Sequence, residues 1–305
     1  LAKKLLAAAA LIAVAAGALF WLLTAPRSIS TAALPQHQPD LENGEAMFQL
    51  GGCANCHAVP KAEGDERLKL AGGLELATDF GTFRVPNISP DEATGIGGWS
   101  DADFVGAMQR GVSPDGAHYY PAFPYASYAR MRAEDVLDLK AYLDTLPAVS
   151  NEVAGHDLAF PYNLRRGLGL WKRLYLSDAP VVSLTADAER LLRGRYLVEG
   201  AGHCGECHTP RGTLGAMRED AWLAGAPNPE GKGRIPNITP HADGVESWSE
   251  ADLVYFFESG FTPEFDSVGG SMVAVQEELA RLEKSDLEAI AAYLKAVPPR
   301  PSAGR

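Results

Sequence analysis

Two short segments hold the residue types most able to do chemistry. Cys53-Ala54-Asn55-Cys56-His57 places two thiols three positions apart with an imidazole directly after the second. Cys204-Gly205-Glu206-Cys207-His208 repeats the arrangement 151 residues later. Thiols about one helical turn apart match the two vinyl groups of a porphyrin, to which they add as thioethers, and the adjacent imidazole then stands beneath the ring as an iron ligand. These are the chain's 4 cysteines, so none is left for a disulfide framework. A zinc ribbon would set its cysteine pairs about 15–20 residues apart, whereas Cys56 and Cys204 are 148 apart. A thioredoxin-type redox pair would need a βαβ setting that the sequence does not offer. The motifs predict two covalently bound haem c groups attached at Cys53, Cys56, Cys204 and Cys207, with His57 and His208 on the irons.

A thioether on the opposite face would close each iron to small ligands and raise its potential, as suits a carrier. Of the 5 methionines, Met47 and Met108 fall in helical patterns and read as core. Met217 lies only nine residues beyond His208, too near in the chain to reach the far face. Met131 and Met272 remain, each between a Trp-Ser pair and a terminal helix. They are not equivalent: counted back from those helices, Met131 aligns with Leu282 and Met272 with Pro121. Met272 follows Gly269-Gly270-Ser271, a flexible loop able to deliver a side chain to the iron. Met131 directly precedes a helix, where core packing competes with ligation. In that first copy His118, as a second imidazole, or an open site are the alternatives.

The elements that position these groups repeat as well. Arg84-Val-Pro-Asn-Ile-Ser-Pro90 recurs as Arg234-Ile-Pro-Asn-Ile-Thr-Pro240, Trp99-Ser100 as Trp248-Ser249, and Ala141-Tyr-Leu143 as Ala292-Tyr-Leu294, at offsets of 149 to 151. Landmarks in one order at nearly one spacing indicate two homologous domains. Asn43 is the expected N-cap of a short helix, Gly44 to Gln49, leading into the first motif. Each copy closes with an amphipathic helix, through Val136, Leu139, Leu143 and Leu146 or through Leu287, Ile290, Leu294 and Val297, before Pro147 and Pro298. Ser285 and Glu288 form an expected capping box. Sustained strand alternation is absent, so the fold class is mostly α with long loops. The expected division is an anchor over 1–26, a linker over 27–40, domains over 41–150 and 186–299, a connector over 151–185 and a tail over 300–305. The aromatic connector is too apolar for a flexible tether and is expected to pack across both domains.

The first 26 residues place Lys3 and Lys4 ahead of an uncharged run from Leu5 to Leu23. Nineteen helical residues span about 28 Å, close to the thickness of a bilayer core. A cleaved secretory signal is the competing reading. The length of the run and the interfacial Phe20-Trp21 favour one retained transmembrane helix, with the rest of the chain exported. With 27 basic against 39 acidic residues the net charge is −12, which excludes nucleic acid as a partner held by phosphate neutralisation.

Taken together, these stretches resemble the tandem class I cytochrome c domains of the haem subunits of bacterial periplasmic dehydrogenases. The resemblance rests on Pro86-Asn-Ile-Ser-Pro90, Thr94-Gly-Ile-Gly-Gly-Trp-Ser100, Tyr120-Pro-Ala-Phe-Pro-Tyr125, Asp138-Leu-Lys-Ala-Tyr-Leu143 and Gly202-His-Cys-Gly-Glu-Cys-His-Thr-Pro-Arg211. Some relatives carry Met where this chain has Phe123, and many carry three haems where this chain has two motifs. The resemblance implies that the carbonyls of Pro86 and Pro236 orient the ligating histidines. Trp99 and Trp248 are candidates to donate to haem propionates, with core packing as the alternative. It further implies an inner-membrane protein with its haem domains in the periplasm, relaying single electrons without bond chemistry of its own. Donors would be a dehydrogenase subunit or a quinol-oxidising complex, and acceptors a soluble cytochrome c or a terminal oxidase. A freestanding shuttle, or a dihaem enzyme such as a peroxidase or a thiosulfate-oxidising enzyme, are the alternatives.

Overall fold

A computed structural model describes residues 1–184, 188–228, 231 and 233–303. The expected connector–domain junction at 185/186 and the tail residues 304–305 lie outside the described residues. The helix α1 (Ala2–Leu23) is followed by α2 (Leu41–Leu50), α3 (Cys53–His57), the strands β1 (Glu75–Thr78) and β2 (Gly81–Arg84), and the helices α4 (Asp101–Arg110), α5 (Tyr125–Tyr128) and α6 (Ala133–Leu143). The connector contributes β3 (Asp157–Leu158), which extends the β1–β2 hairpin, and α7 (Leu168–Tyr175). The second half runs α8 (Glu189–Glu199), α9 (Gly205–His208), β4 (Ala226–Pro227), β5 (Arg234–Ile235), α10 (Glu250–Ser259), α11 (Met272–Leu279) and α12 (Lys284–Ala296). The order of elements is the same in both halves, and the fold is mostly helical.

Local chemistry sets the helix ends. The carboxylate of Asp40, not Asn43, caps α2 by accepting from the backbone N–H groups of Glu42 and Asn43. Asn43 sits inside the first turn, and its amide donates to Asp135 and Asp138 of α6 at 2.9 and 2.7 Å. An earlier, stronger cap frees Asn43 to satisfy buried carboxylates. Helices α4 and α10 each start from a complete capping box, Ser100 with Asp103 and Ser249 with Asp252, and each ends at a left-handed glycine, Gly111 or Gly260. The box expected at Ser285 does not form: α12 begins at Lys284 with Glu283 at its N-cap position, so Ser285 is already helical.

The main packing unit in each half is a close helix pair, α2 on α6 and α8 on α12. A Cβ on Gly44 would stand 2.2 Å from the Asp138 carbonyl oxygen, and one on Gly194 only 1.9 Å from that of Ala289. Glycine is therefore what lets the backbones approach, and Met47, Phe48, Leu197 and Val198 become buried beside them. One continuous buried cluster includes Tyr128, Met131 and Leu139 of the first half with Leu197, Leu287 and Tyr293 of the second. The halves therefore share a core.

Polar contacts hold them in register. Ser127 Oγ donates to Glu206 at 2.8 Å, and Arg67 pairs with Glu278 at 3.0 Å. Asp135 accepts from the Tyr196 hydroxyl of the second half and from Nε and Nη2 of Arg132. Burial would raise the Asp135 carboxyl, but hydrogen bonds from Arg132, Tyr196 and Asn43 outweigh it and hold the group below its ordinary range.

Replacing Gly194 by Ala should destabilise the protein by about 1–3 kcal/mol through overpacking, measurable as a lower denaturation midpoint with an unchanged slope. The depressed Asp135 carboxyl contributes stability above its unfolded pKa, about 4, that is lost as pH falls through its folded value. Because Arg132 is largely solvent-exposed, Asp135→Asn should cost only about 1–2 kcal/mol at neutral pH. It should also make acid unfolding less steep below about pH 4, as thermal melts across that range would show.

Candidate functional site

The cysteine motifs form short helices. The turn into α3 uses Gly52 in the left-handed region at φ 54°. The matching residue of the second half is His203, held at φ 36°. Cys53 and Cys204 are half-buried while Cys56 and Cys207 are exposed, an arrangement suited to a flat group inserted with one edge at the surface. Burial, reinforced by the neighbouring cysteine, pushes the thiols of Cys53 and Cys204 up to about 12. Neutral thiols are poor ligands for a bare metal ion, and among the described residues no group of three or more His, Cys, Asp and Glu side chains could hold one.

Both motif histidines are oriented identically. His57 Nδ1–H donates to the Pro86 carbonyl at 2.9 Å, and His208 Nδ1–H to that of Pro236 at 2.8 Å. A carbonyl can only accept, so the tautomer is fixed and Nε2 keeps its lone pair. Burial lowers the imidazole pKa, to about 4 for His57 and in the same direction for His208, so both rings are neutral at physiological pH. A neutral imidazole with Nδ1 held by a carbonyl is the form that ligates iron.

The fold places those carbonyls by a device the sequence reading missed. Strands β2 and β5 lead straight into Pro86 and Pro236. Gly72 N–H donates to the His57 carbonyl at 2.7 Å, and Gly225 N–H to that of His208 at 2.8 Å. Both glycines adopt positive φ, 73° and 80°. A Cβ on Gly72 would fall 2.5 Å from the Pro86 carbonyl carbon, and one on Gly225 would fall 2.8 Å from the Ile235 oxygen. The signal was present as Leu70-Ala71-Gly72 repeated in Leu223-Ala224-Gly225. The residue after each proline completes the clamp. Asn87 Nδ2 donates to Val149 at 2.7 Å and Asn237 Nδ2 to Arg300 at 2.8 Å, tying the prolyl segment to the chain that follows the terminal helix.

The remaining expected residues are placed as follows. Trp99 and Trp248 stand just ahead of α4 and α10, partly buried against the core. Met272 is the first residue of α11 and not part of a loop; Gly269 and Gly270 just before it have open space around them. Met131 is 4% exposed, with its side chain beside Gly200 of the second half. His118 is not available as a ligand: its Nε2–H donates to the Thr24 carbonyl at 2.9 Å, and its Nδ1 accepts from Lys172 at 3.1 Å. Phe123 stacks edge-on with Tyr119 and Tyr128.

A Cys-x-x-Cys-His helix whose imidazole is pinned to a prolyl carbonyl, on a helical scaffold, defines a c-type cytochrome. The donor set fits covalent haem c: in each motif two free thiols three positions apart would take the two vinyl groups and one neutral Nε2 would take the iron. Comparison with known proteins agrees. The cytochrome c family model matches residues 41–147. A "Diheme cytochrome c-type" protein of Cereibacter sphaeroides is 51% identical over 298 residues, covering 97% of this chain and 98% of that one. The fructose dehydrogenase cytochrome subunit of Gluconobacter japonicus is 36% identical over 272 residues, 88% of this chain and 55% of its own length. The gluconate 2-dehydrogenase cytochrome c subunit of Pantoea cypripedii is 36% identical over 284 residues, 88% of this chain and 63% of its own. The chain belongs to the dihaem cytochromes c, homologous to the cytochrome subunits of dehydrogenases, and its role is electron transfer and not catalysis.

Gly225→Ala should push the Pro236 segment off His208 and weaken the Nδ1 hydrogen bond. A less basic imidazole stabilises ferric iron less, so one reduction potential should rise on the order of tens of millivolts in a spectroscopic redox titration.

Proposed function

We propose that this chain is a membrane-anchored dihaem cytochrome c in which residues 41–150 and 186–299 each carry one haem and pass single electrons between them. When bound, haem c supplies a reversible one-electron iron couple. The observation that carries the reading is at the interface between the halves. His203 Nε2 lies 3.2 Å from the Gly51 carbonyl oxygen, and His203 directly precedes Cys204 while Gly51 stands two residues before Cys53. Both attachment segments therefore start from one shared contact, within a continuous core that fixes their separation.

His57 and His208 are the proximal ligands in this reading, Met272 and Met131 the thioether candidates opposite, and Trp99 and Trp248 the propionate donors. The helix α1, 22 residues with an 18-residue stretch of mean hydropathy 2.4 and no buried residue, is the anchor in an inner membrane, with the haem domains on the periplasmic side. Electrons enter from a dehydrogenase subunit or a quinol-oxidising complex and leave to a cytochrome c or a terminal oxidase. A second version is a freestanding shuttle: the 51% identical Cereibacter relative is a dihaem cytochrome c, and the chain spans 55% and 63% of the lengths of the two dehydrogenase subunits. A catalytic subunit that co-purifies through salt washing separates the two.

Protein matured in a host competent for haem attachment should show two haem increments in its intact mass and two haems per chain by pyridine haemochrome. The double substitution Cys204→Ser, Cys207→Ser should retain one. A single haem in the unaltered chain would overturn the proposal. With thioethers on both irons, the reduced protein should ignore carbon monoxide, and Met272→Ala should convert half of the haem to the carbon monoxide-binding form.

A further inference from the structure

The connector helix α7 has its amphipathicity inverted. A helix on a globular surface normally buries its apolar side chains and exposes its charges. Here Gly169 and Lys172 face inward, while Leu170 and Leu174 are 40% and 70% exposed. The inward face is committed. Lys172 donates to the carbonyls of Arg110 and Gly111 at 2.8 and 2.6 Å and to His118. A Cβ on Gly169 would meet the Thr24 backbone at 2.6 Å. The outward face continues into Phe160, Tyr162, Leu164 and Leu214, each at least 48% exposed. Leu214 is joined to α7 by the Trp171 indole, which donates to its carbonyl at 2.9 Å.

What this face meets is set by its attachment to the end of α1. Arg166 donates to the Trp21 carbonyl at 2.6 Å and to Thr24 Oγ1 at 3.0 Å, and its guanidinium lies 4.0 Å from the Trp21 ring centre. Arg173 donates to the Leu23 carbonyl at 2.5 Å. Thr24, the residue that terminates α1, is completely buried in this junction. Trp21 is the residue type that settles at the headgroup level of a bilayer. Whatever is bonded to the last turn of a spanning helix lies at that same level. Arg165, Arg166 and Arg173 then cluster beside exposed leucines in a protein of net charge −12. Guanidinium groups around an apolar stripe match an anionic lipid surface.

We propose that α7, with the flanking Phe160–Leu164 turn and Leu214, lies in the headgroup–acyl boundary of the membrane crossed by α1 and holds the haem domains in one fixed orientation on the bilayer. The proposal rests on α1 being retained as the anchor. The occupant is the anionic lipid surface, and a protein chain covering this face is the outcome that would contradict it.

The test uses the full haem-loaded chain, whose native thiols are consumed, bearing a single environment-sensitive thiol label at Leu174→Cys or, as the reference, at Ser285→Cys on α12. Both positions are exposed, so neither change disturbs packing. Reconstituted into phosphatidylcholine–phosphatidylglycerol vesicles, the label at 174 should be quenched several-fold more than the one at 285 by lipid with a nitroxide just below the headgroup, and less by aqueous iodide. Omitting phosphatidylglycerol should reduce that difference. Equal iodide quenching at both positions in vesicles would overturn the proposal, as would shielding of position 174 only when another protein co-purifies. Intact mass reads the anchor separately. A chain retaining residues 1–26 with a wet label at 174 contradicts only the surface assignment, whereas a chain lacking them removes the anchor reading first.

Discussion

An imidazole can hold an iron only if its ring is turned correctly and its proton sits on the far nitrogen. In this chain both requirements fall on one hydrogen bond, from Nδ1 of His57 or His208 to a prolyl carbonyl. Much of each half can be traced to that bond. The strand before the proline aims the carbonyl, and the pyrrolidine ring fixes the backbone φ there. A left-handed glycine ties the histidine carbonyl to the same segment. An asparagine secures the following residues to the chain beyond the terminal helix. The geometry depends on backbone close approach more than on side-chain bulk, which is why Gly72 and Gly225 have no room for a methyl group.

The two copies have not stayed independent. Gly52 makes the left-handed turn before the first motif at no steric cost, whereas the second copy uses His203 there, a conformation that non-glycine residues rarely adopt. The ring of His203 reaches Gly51 and lies against Tyr128 at 5.7 Å, so the strain is offset by contacts across the halves. Glu206 and Asn55, at matching positions inside the motifs, serve the same interface through different partners: Glu206 takes Ser127, and Asn55 takes Arg67, which in turn pairs with Glu278. A duplicated unit has thereby become a heterologous, fixed pair.

The sequence displayed the covalent chemistry more clearly than the geometry behind it. Two Cys-x-x-Cys-His runs and the repeated Pro-Asn-Ile segments located the motifs, the helical class and the duplication, because thioether attachment and a prolyl hinge demand those residue types at those spacings. Helix ends were harder. Asn43 and Ser285 satisfy the local capping preference, yet Asp40 and Glu283 occupy the N-cap positions, because tertiary contacts recruit Asn43 to the α6 carboxylates and α12 begins two residues early. The Trp-Ser landmarks, visible as repeats, held the capping boxes of α4 and α10 unrecognised. His118 stood as an alternative iron ligand because nothing local reveals that the Thr24 carbonyl, 94 residues away, would accept its proton. Long-range partners of this kind cannot be read from spacing.

The segment between α1 and α2 settles how tightly α1 and the first half are joined. A span of this length, if solvated, would let the domains sample many orientations. Instead Ile29 and Leu34 pack on the core. His37 Nε2 lies 2.5 Å from Asp138, and the Asp40 backbone N–H donates to the same carboxylate at 2.8 Å. That carboxylate also accepts from Asn43, so the segment after α1, the first turn of α2 and α6 converge on one buried acid. Together with Thr24 enclosed by α7 and His118, two separate junctions join α1 to the first half. The orientation of the first motif relative to α1 is thus part of the fold, and the second motif inherits it through the Gly51–His203 contact.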